Sequence, residues 1–382
     1  MHVLIVSSWF PSKKYPLDGC FVIEQAELLR DSGHQVTVLV PQLSGSSLQT
    51  WTGSALRKKR LLLEGMAVYF CPVNVWVPYQ KGHYVKKLLA KSSRMMRKII
   101  DREGTPDIIH SHAALMGGFV SSSLQSAFSI PHVHTEHMSS LIFNSEQLDV
   151  LDLKQLRHLS ENADRFLFVS NFALEKTSEN LSLQIKNPGV IHNLVDSPFF
   201  EIQPLPSKFS ALCIGDFKEI KNQKYLVAAW KKVAEAIPDA ELVLAGNGDK
   251  TLLEEQAKEL GILNNITFLS GLSRKEVLQR MSQAYVVISS SIVETFGLTV
   301  AEGLAIGRPV VATDSGGVRD IIQPGDGYIV PQNDIDSFSD AIINISNGMH
   351  DSPTTISARC WAKFGADAFS KRLFDIYSEL KK

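Results

Sequence analysis

Between Ala284 and Gly317 the chain carries one pattern that few folds accommodate. An apolar run (Ala284 to Ile288) leads into SSSIVETFGLTVAEGLAIGRPVVATDSGG, which reads as a small-residue loop, a helix, a second apolar run and a glycine turn. A short continuous apolar run marks a strand buried on both faces, and two such strands joined by a helix lie parallel in one sheet. Gly297 falls where the helix opens, so the backbone can approach a ligand with no Cβ in the way. The unpaired amides of the first turn, aided by the helix dipole, favour an anion such as phosphate. Glu294 precedes those amides and Glu302 follows about two turns along. Carboxylates repel phosphate, so hydroxyls of sugars joined to it are their expected targets, and phosphate with sugar and ribose describes a nucleotide sugar.

The same alternation recurs in both halves. His2 to Val6 is a buried strand, followed by the loop SSWFPSKKYPLDGCF, a helix from Val22 to Ser32 and a strand from Val36 to Val40. That is a βαβ unit, and ligands of such sheets sit beyond the carboxyl ends of the strands. The loop lacks G-x-G-x-x-G, which argues against NAD or FAD. Strand material is expected over Val68 to Val77, Asp107 to His110 and Arg165 to Val169, with a helix from Leu151 to Glu161. After the proline-rich stretch Ile202 to Ser207, read as a hinge, strands resume at Ala211 to Ile214, Ala240 to Ala245 and Ile266 to Leu269. A hairpin-like piece is expected over Gly325 to Val330, and a last helix over Ala366 to Leu380.

With 382 residues the chain is long enough for two cores, and 44% hydrophobic with 21% charged residues suits a globular protein. A net charge of -1 argues against general affinity for nucleic acid. Cys20, Cys71, Cys213 and Cys360 lack CxxC spacing, so neither a zinc site nor a disulfide framework is expected, which fits a reducing cytoplasm. The opening VLIVSSWF has no basic n-region before it and no small-residue cleavage site, so no signal peptide is expected, and no stretch reaches the roughly 18 apolar residues of a membrane span. Arg57, Lys58, Lys59 and Arg60 close a polar stretch that begins at Leu43. Lys81 to Ile100 carries seven bases and no acid, with Val85, Leu88, Leu89, Met95, Met96 and Ile99 interleaved as an apolar stripe. Such a helix can lie on anionic lipid, so peripheral contact with a membrane is one expectation for it.

The stretch Glu294, Phe296, Gly297, Glu302, then Gly307, Pro309, Val310, Val311, Ala312, Thr313, Gly316 and Gly317, closely resembles the donor-site signature of the family-4 retaining glycosyltransferases, which have the GT-B fold. Thr295 stands where many members carry glycine. The resemblance covers nearly the whole chain. It implies two Rossmann-like α/β domains facing each other across a cleft: an acceptor-side domain over 1–200, a nucleotide-sugar domain over 207–362, and a C-terminal helix within 363–382 that crosses back.

The resemblance also implies roles. Glu294 orients the donor sugar, Glu302 the ribose, and His112 contacts the donor sugar from the first domain. Lys221 and the first-turn positions Phe296, Gly297, Leu298 and Thr299 hold the diphosphate, Gly19 lies against it, and Gly271 with Leu272 meets the base. Glu136 and His137 match a Thr-Glu-His turn on the acceptor side. Two departures stand out: Leu194 replaces an expected glycine, and Asp216 occupies the place of the usual arginine, with Lys218 as a candidate substitute. The implied activity is retaining transfer from a UDP- or GDP-sugar to an acceptor hydroxyl of a glycan or lipid-linked acceptor, in polysaccharide or glycolipid biosynthesis, with no metal and no cofactor. A nucleotide-sugar epimerase or hydrolase of the same fold, or a non-catalytic sugar-nucleotide-binding partner, are the competing readings.

Overall fold

The computed structural model describes residues 1–11, 15–44, 60–74 and 81–381. The bases Arg57 to Lys59 and the end of the strand expected to reach Val77 lie outside the described residues. Contacts divide the chain into two units, Met1–His192 with Ser370–Lys382, and Asn193–Phe369.

The first unit is built on a sheet of β1 (His2–Ser7), β2 (Gln35–Ser44), β3 (Arg60–Leu63), β4 (Met66–Asn74), β5 (Ile108–His112), β6 (His132–Glu136), β7 (Arg165–Phe168) and β8 (Pro188–Val190). Its order is β3-β4-β2-β1-β5-β6-β7-β8. Only β3 runs antiparallel among the described strands, paired with β4 through the turn at Glu64-Gly65. All six residues of β1 are buried, as a strand paired on both edges and covered on both faces requires. The helices are α1 (Cys20–Asp31), α2 (Lys81–Glu103), α3 (Phe119–Phe128), α4 (Val150–Asn162) and α5 (Asn171–Leu181). The apolar stripe expected to face lipid is spent on this core: Leu88, Met95, Met96 and Ile99 of α2 pack with Tyr69, Cys71 and Val120. Lys81 pairs with Asp149 and Asp152, and Lys91 donates to the Pro72 carbonyl, while Lys86, Lys87, Arg94, Arg97 and Lys98 stay exposed.

The second unit carries β9 (Ser210–Ile214), β10 (Glu241–Ala245), β11 (Ile266–Leu269), β12 (Val286–Ser289), β13 (Val310–Thr313) and β14 (Gly327–Val330), all parallel, in the order β11-β10-β9-β12-β13-β14. Its helices are α6 (Gln223–Ala236), α7 (Thr251–Glu259), α8 (Arg274–Gln283), α9 (Leu298–Ala305), α10 (Ile335–Ser346) and α11 (Pro353–Phe364). The segment expected to be hairpin-like is instead β14, a parallel edge strand on β13. The glycine turn at Gly325 and the short length suggested a hairpin, yet Gly327 exists for close approach: a Cβ there would lie 1.8 Å from the Val310 carbonyl oxygen. Trp230, fully buried, anchors the core between α6 and the sheet.

The boundary between units falls earlier than proline content suggests. Asn193 to Phe200 pack with the second unit, where the Val195 N–H donates to the Phe364 carbonyl at 3.0 Å and Phe199 is buried. The proline-rich stretch is held there too: fully buried Arg308 donates to the carbonyls of Gln203 (3.0 Å), Pro204 (3.1 Å) and Ser282 (2.7 Å). Helix α12 (Ala366–Leu380) passes from the second unit into the first, where Tyr377 is sealed against His110.

Candidate active site

In each sheet the strand order reverses beside the central strand, and loops on either side of such a reversal diverge to leave room for a ligand at the strands' carboxyl ends. In the second unit this point lies between β9 and β12. The loop after β9 delivers Lys221 and the loop after β12 delivers Glu294, and the two meet: Lys221 Nζ lies 2.5 Å from Glu294 Oε1. Ser291 Oγ donates to the same oxygen at 2.7 Å. Burial works to lower the pKa of the Lys221 ammonium, and Glu294 overrides it, so that the value ends above the ordinary one.

Three residues past Glu294, Gly297 adopts φ 105 and caps α9. The N–H groups of Val300 and Ala301 both turn back to the Gly297 carbonyl, at 3.0 and 3.1 Å. Those of Leu298 and Thr299 open the helix with no carbonyl a turn below them, as helix starts must. The Glu294 loop is stitched to the second glycine turn, with the Glu294 N–H on the Ser315 carbonyl and the Gly317 N–H on the Glu294 carbonyl, each at 2.9 Å. A Cβ on Gly317 would lie 2.6 Å from the Thr295 carbonyl oxygen, so the glycine pair serves backbone approach at this seam.

Phe296 does not join the polar group: its ring is buried 5.4 Å from that of Phe364, so only its backbone can serve a ligand. Glu302 is 1% exposed, and Arg274 Nη1 reaches its Oε1 at 2.6 Å. Burial raises the Glu302 carboxyl above its ordinary range and Arg274 pulls it back. Asp216, at the place of the usual arginine, is paired with Lys218 at 2.9 Å and accepts the Asn247 N–H at 3.2 Å. Lys218 therefore answers a local acid. Gly271 takes φ 69 and donates its N–H to Asn247 Oδ1 at 3.2 Å, with Leu272 half-buried next to it.

In the first unit the reversal lies between β1 and β5. Gly19 caps α1 after the β1 loop with φ 71, and a Cβ there would meet the Trp9 carbonyl oxygen at 2.5 Å. His112 ends β5, and its Nδ1 shares a hydrogen bond with His137 Nε2 at 3.0 Å. The His137 ring packs 4.7 Å from Phe21 of α1. Burial pushes both imidazoles well below their ordinary value, so both are neutral at physiological pH. His112 Nε2 is buried and has no hydrogen-bond partner among the described residues. Glu136 accepts the N–H groups of Ala114 (2.9 Å), His137 and Met138 (both 2.8 Å), which fixes the turn carrying His137 to the start of the segment after β5.

Two of the contacts to these glutamates carry no signal in the sequence. Ser291 sits in a run of three serines with nothing to single it out. Arg274 opens a helix, where a cation opposes the dipole and carries no sequence signal of its own.

Known proteins resemble this chain in sequence and fold. A model of Glycosyltransferase Family 4 matches residues 20–198, and one of Glycosyl transferases group 1 matches residues 198–356. The chain is 29% identical over 330 residues to the phosphatidyl-myo-inositol mannosyltransferase of Mycolicibacterium smegmatis, covering 85% of this chain and 79% of that protein. It is 26% identical over 357 residues to the D-inositol 3-phosphate glycosyltransferase of Kribbella flavida, covering 85% and 81%. Among solved structures, sucrose-phosphate synthase from Thermosynechococcus elongatus superposes with a TM-score of 0.78 at 19% identity, over 99% of this chain and 98% of that one. Anabaena HepE, solved with UDP and glucose, gives 0.74 at 18% identity, over 99% and 100%. With two consecutive family matches spanning nearly its whole length and a GT-B fold, the chain belongs to the family-4, group 1 glycosyltransferases and is a glycosyltransferase.

Proposed function

We propose that this enzyme moves a sugar, with retention of anomeric configuration, from a UDP- or GDP-sugar to an acceptor hydroxyl in polysaccharide or glycolipid biosynthesis, at the cytoplasmic side of a membrane. The observation that carries the reading is the Lys221–Glu294 pair beside the open amides of α9. Transfer builds positive charge at the anomeric carbon and negative charge on the leaving diphosphate. Lys221 and the amides of Leu298 and Thr299 meet the second, preorganised for charge that develops during the reaction. Glu294 accepts hydrogen bonds from hydroxyls of the donor sugar and is not a nucleophile: the acceptor oxygen bonds to the anomeric carbon on the face that the diphosphate leaves, and the leaving phosphate takes the acceptor's proton. Glu302 takes the ribose, and Gly271 with Leu272 the base. Gly19 lies against the diphosphate. The unpartnered Nε2 of His112 supports the role its position in the family implies, a hydrogen bond to the donor sugar. Glu136 and His137 shape the acceptor side.

Relatives bear on both substrates: HepE structures hold UDP or UDP-glucose, and the M. smegmatis relative is named a phosphatidyl-myo-inositol mannosyltransferase. Among the described residues no helix is long and apolar enough to cross a membrane. Contact with acidic lipid would therefore rest on the exposed bases of α2, since its apolar stripe is occupied by the core. A thermal-shift screen of nucleotide sugars tests the whole reading, because binding raises the melting temperature with affinity and concentration. A shift by one UDP- or GDP-sugar, with transfer to an alcohol acceptor, is expected. No shift by any nucleotide sugar would overturn it.

A further inference from the structure

Glu302 is a carboxylate in an expensive place. It lies on α9 at 1% exposure, and burial pushes it toward the neutral form. Three groups face it from other elements. Arg274, from the first turn of α8, lies 2.6 Å from its Oε1. Asp196, from the segment before β9, adds a like charge that raises it further. Cys360, from α11, gives its Sγ to the Ala301 carbonyl at 3.3 Å and stays a thiol, because burial raises its pKa. Among the described residues Arg274 is thus the favourable charge at Glu302.

The placement of Arg274 is itself informative. A cation in the first turn of a helix opposes the dipole, so local structure gives no reason for it there. Its guanidinium is held by other means: Cζ lies 4.3 Å from the centroid of the Phe199 ring, and Asp196 lies close enough to be lowered by it. Phe199 is itself buried. A planar guanidinium stacked on an aromatic face presents its N–H groups in one fixed plane, which a lysine cannot reproduce.

Resting on the reading of Glu302 as the ribose group, the geometry points to Arg274 as a positioning residue: it holds Glu302 charged and in one orientation, so that the preference of donor binding for an intact ribose depends on it. The Asp196 to Phe200 segment, through Phe199, holds Arg274 in turn. Without Arg274, Glu302 would be a buried acid beside Asp196 without this counter-charge, and it would take up a proton at a higher pH than in the wild type.

Calorimetric titration tests this with UDP and GDP and with their 2′-deoxy and 3′-deoxy counterparts, at neutral pH and about one unit lower, the direction in which a carboxyl gains a proton. The wild type is expected to bind one ribonucleotide about tenfold or more tighter than its deoxy counterparts, the usual worth of a hydrogen bond to a charged group. In Arg274→Ala that preference falls toward unity, further at the lower pH, and Arg274→Lys restores only part of it. Glu302→Gln loses the preference with Arg274 in place. An Arg274→Ala protein that is less heat-stable but keeps the full preference at both pH values would overturn the inference and leave the ribose role of Glu302 standing. A wild type with no preference would remove that role, and the inference with it. Should Arg274→Ala not fold, Arg274→Lys decides: an unchanged preference alongside a lowered melting temperature overturns the proposal.

Discussion

Lys221 Nζ and Glu294 Oε1 lie 2.5 Å apart, although 73 residues separate them in sequence. Each comes from the loop after a central strand of the second sheet, β9 for the lysine and β12 for the glutamate, and these strands are neighbours. The pair is where the sheet's change of direction brings opposite charges together.

Glu294→Gln keeps the shape of the side chain and its contact with Ser291 but removes the charge. Turnover is expected to fall by about a hundredfold or more, the scale of a lost electrostatic contact at a reacting centre. Steady-state kinetics on the purified variant, with a circular dichroism melt to confirm folding, checks this. Wild-type turnover would contradict the role assigned to Glu294.

Arg308 is fully buried, and its donors end on carbonyls rather than on a carboxylate. Burial alone lowers its pKa, to about 10, so it remains charged at neutral pH. Arg308→Ala leaves the Gln203, Pro204 and Ser282 carbonyls without this donor and opens a cavity, which together cost about 3 kcal/mol or more. Urea unfolding should show that loss, and Arg308→Met, which refills the space without donors, should recover only part of it.

Four buried histidines of the first unit, His110, His112, His132 and His137, have pKa values lowered by burial, His110 to about 3. In the unfolded chain each titrates near 6.5. The unfolded state therefore binds more protons below that value. Stability from these groups is fully present above 6.5 and is lost as the pH falls from there toward the folded values, by about 1.4 kcal/mol per pH unit for each histidine that stays neutral. Unfolding free energies measured at successive pH values from neutrality downward should fall steeply. A flat profile would show that the rings are hydrated and not sealed.

The exposed bases of α2 give a test of membrane contact. Reversing Lys86, Lys87 and Arg94 to glutamate leaves the packed face of the helix untouched, so the fold should persist. Pelleting with vesicles rich in acidic phospholipid should drop, and the wild-type signal should weaken with added salt, as surface electrostatics does. Equal pelleting of wild type and variant would remove the helix from the docking surface.

The alternation of buried strands and helices and the helix opening at Gly297 were legible in the residues, because each depends on neighbours within a few positions. A short continuous apolar run bounded by turn residues reads as a strand covered on both faces, and a glycine before a helix with φ near 105 is a local demand. What the residues could not reveal depends on distant packing. The stripe on α2 looked the same whether it faced lipid or a sheet, and the core of the first unit claimed it. β14 joined β13 in parallel because β13 offered an unpaired edge, which no local pattern announces. Asp216 and Lys218 neutralise each other, and Arg274 reaches Glu302 from another helix, so the charge at each position is set by partners that only the folded chain supplies. Sequence determined the backbone conformations and the chemistry available; tertiary structure decided which charges meet, because long-range pairing depends on strand order and not on spacing along the chain.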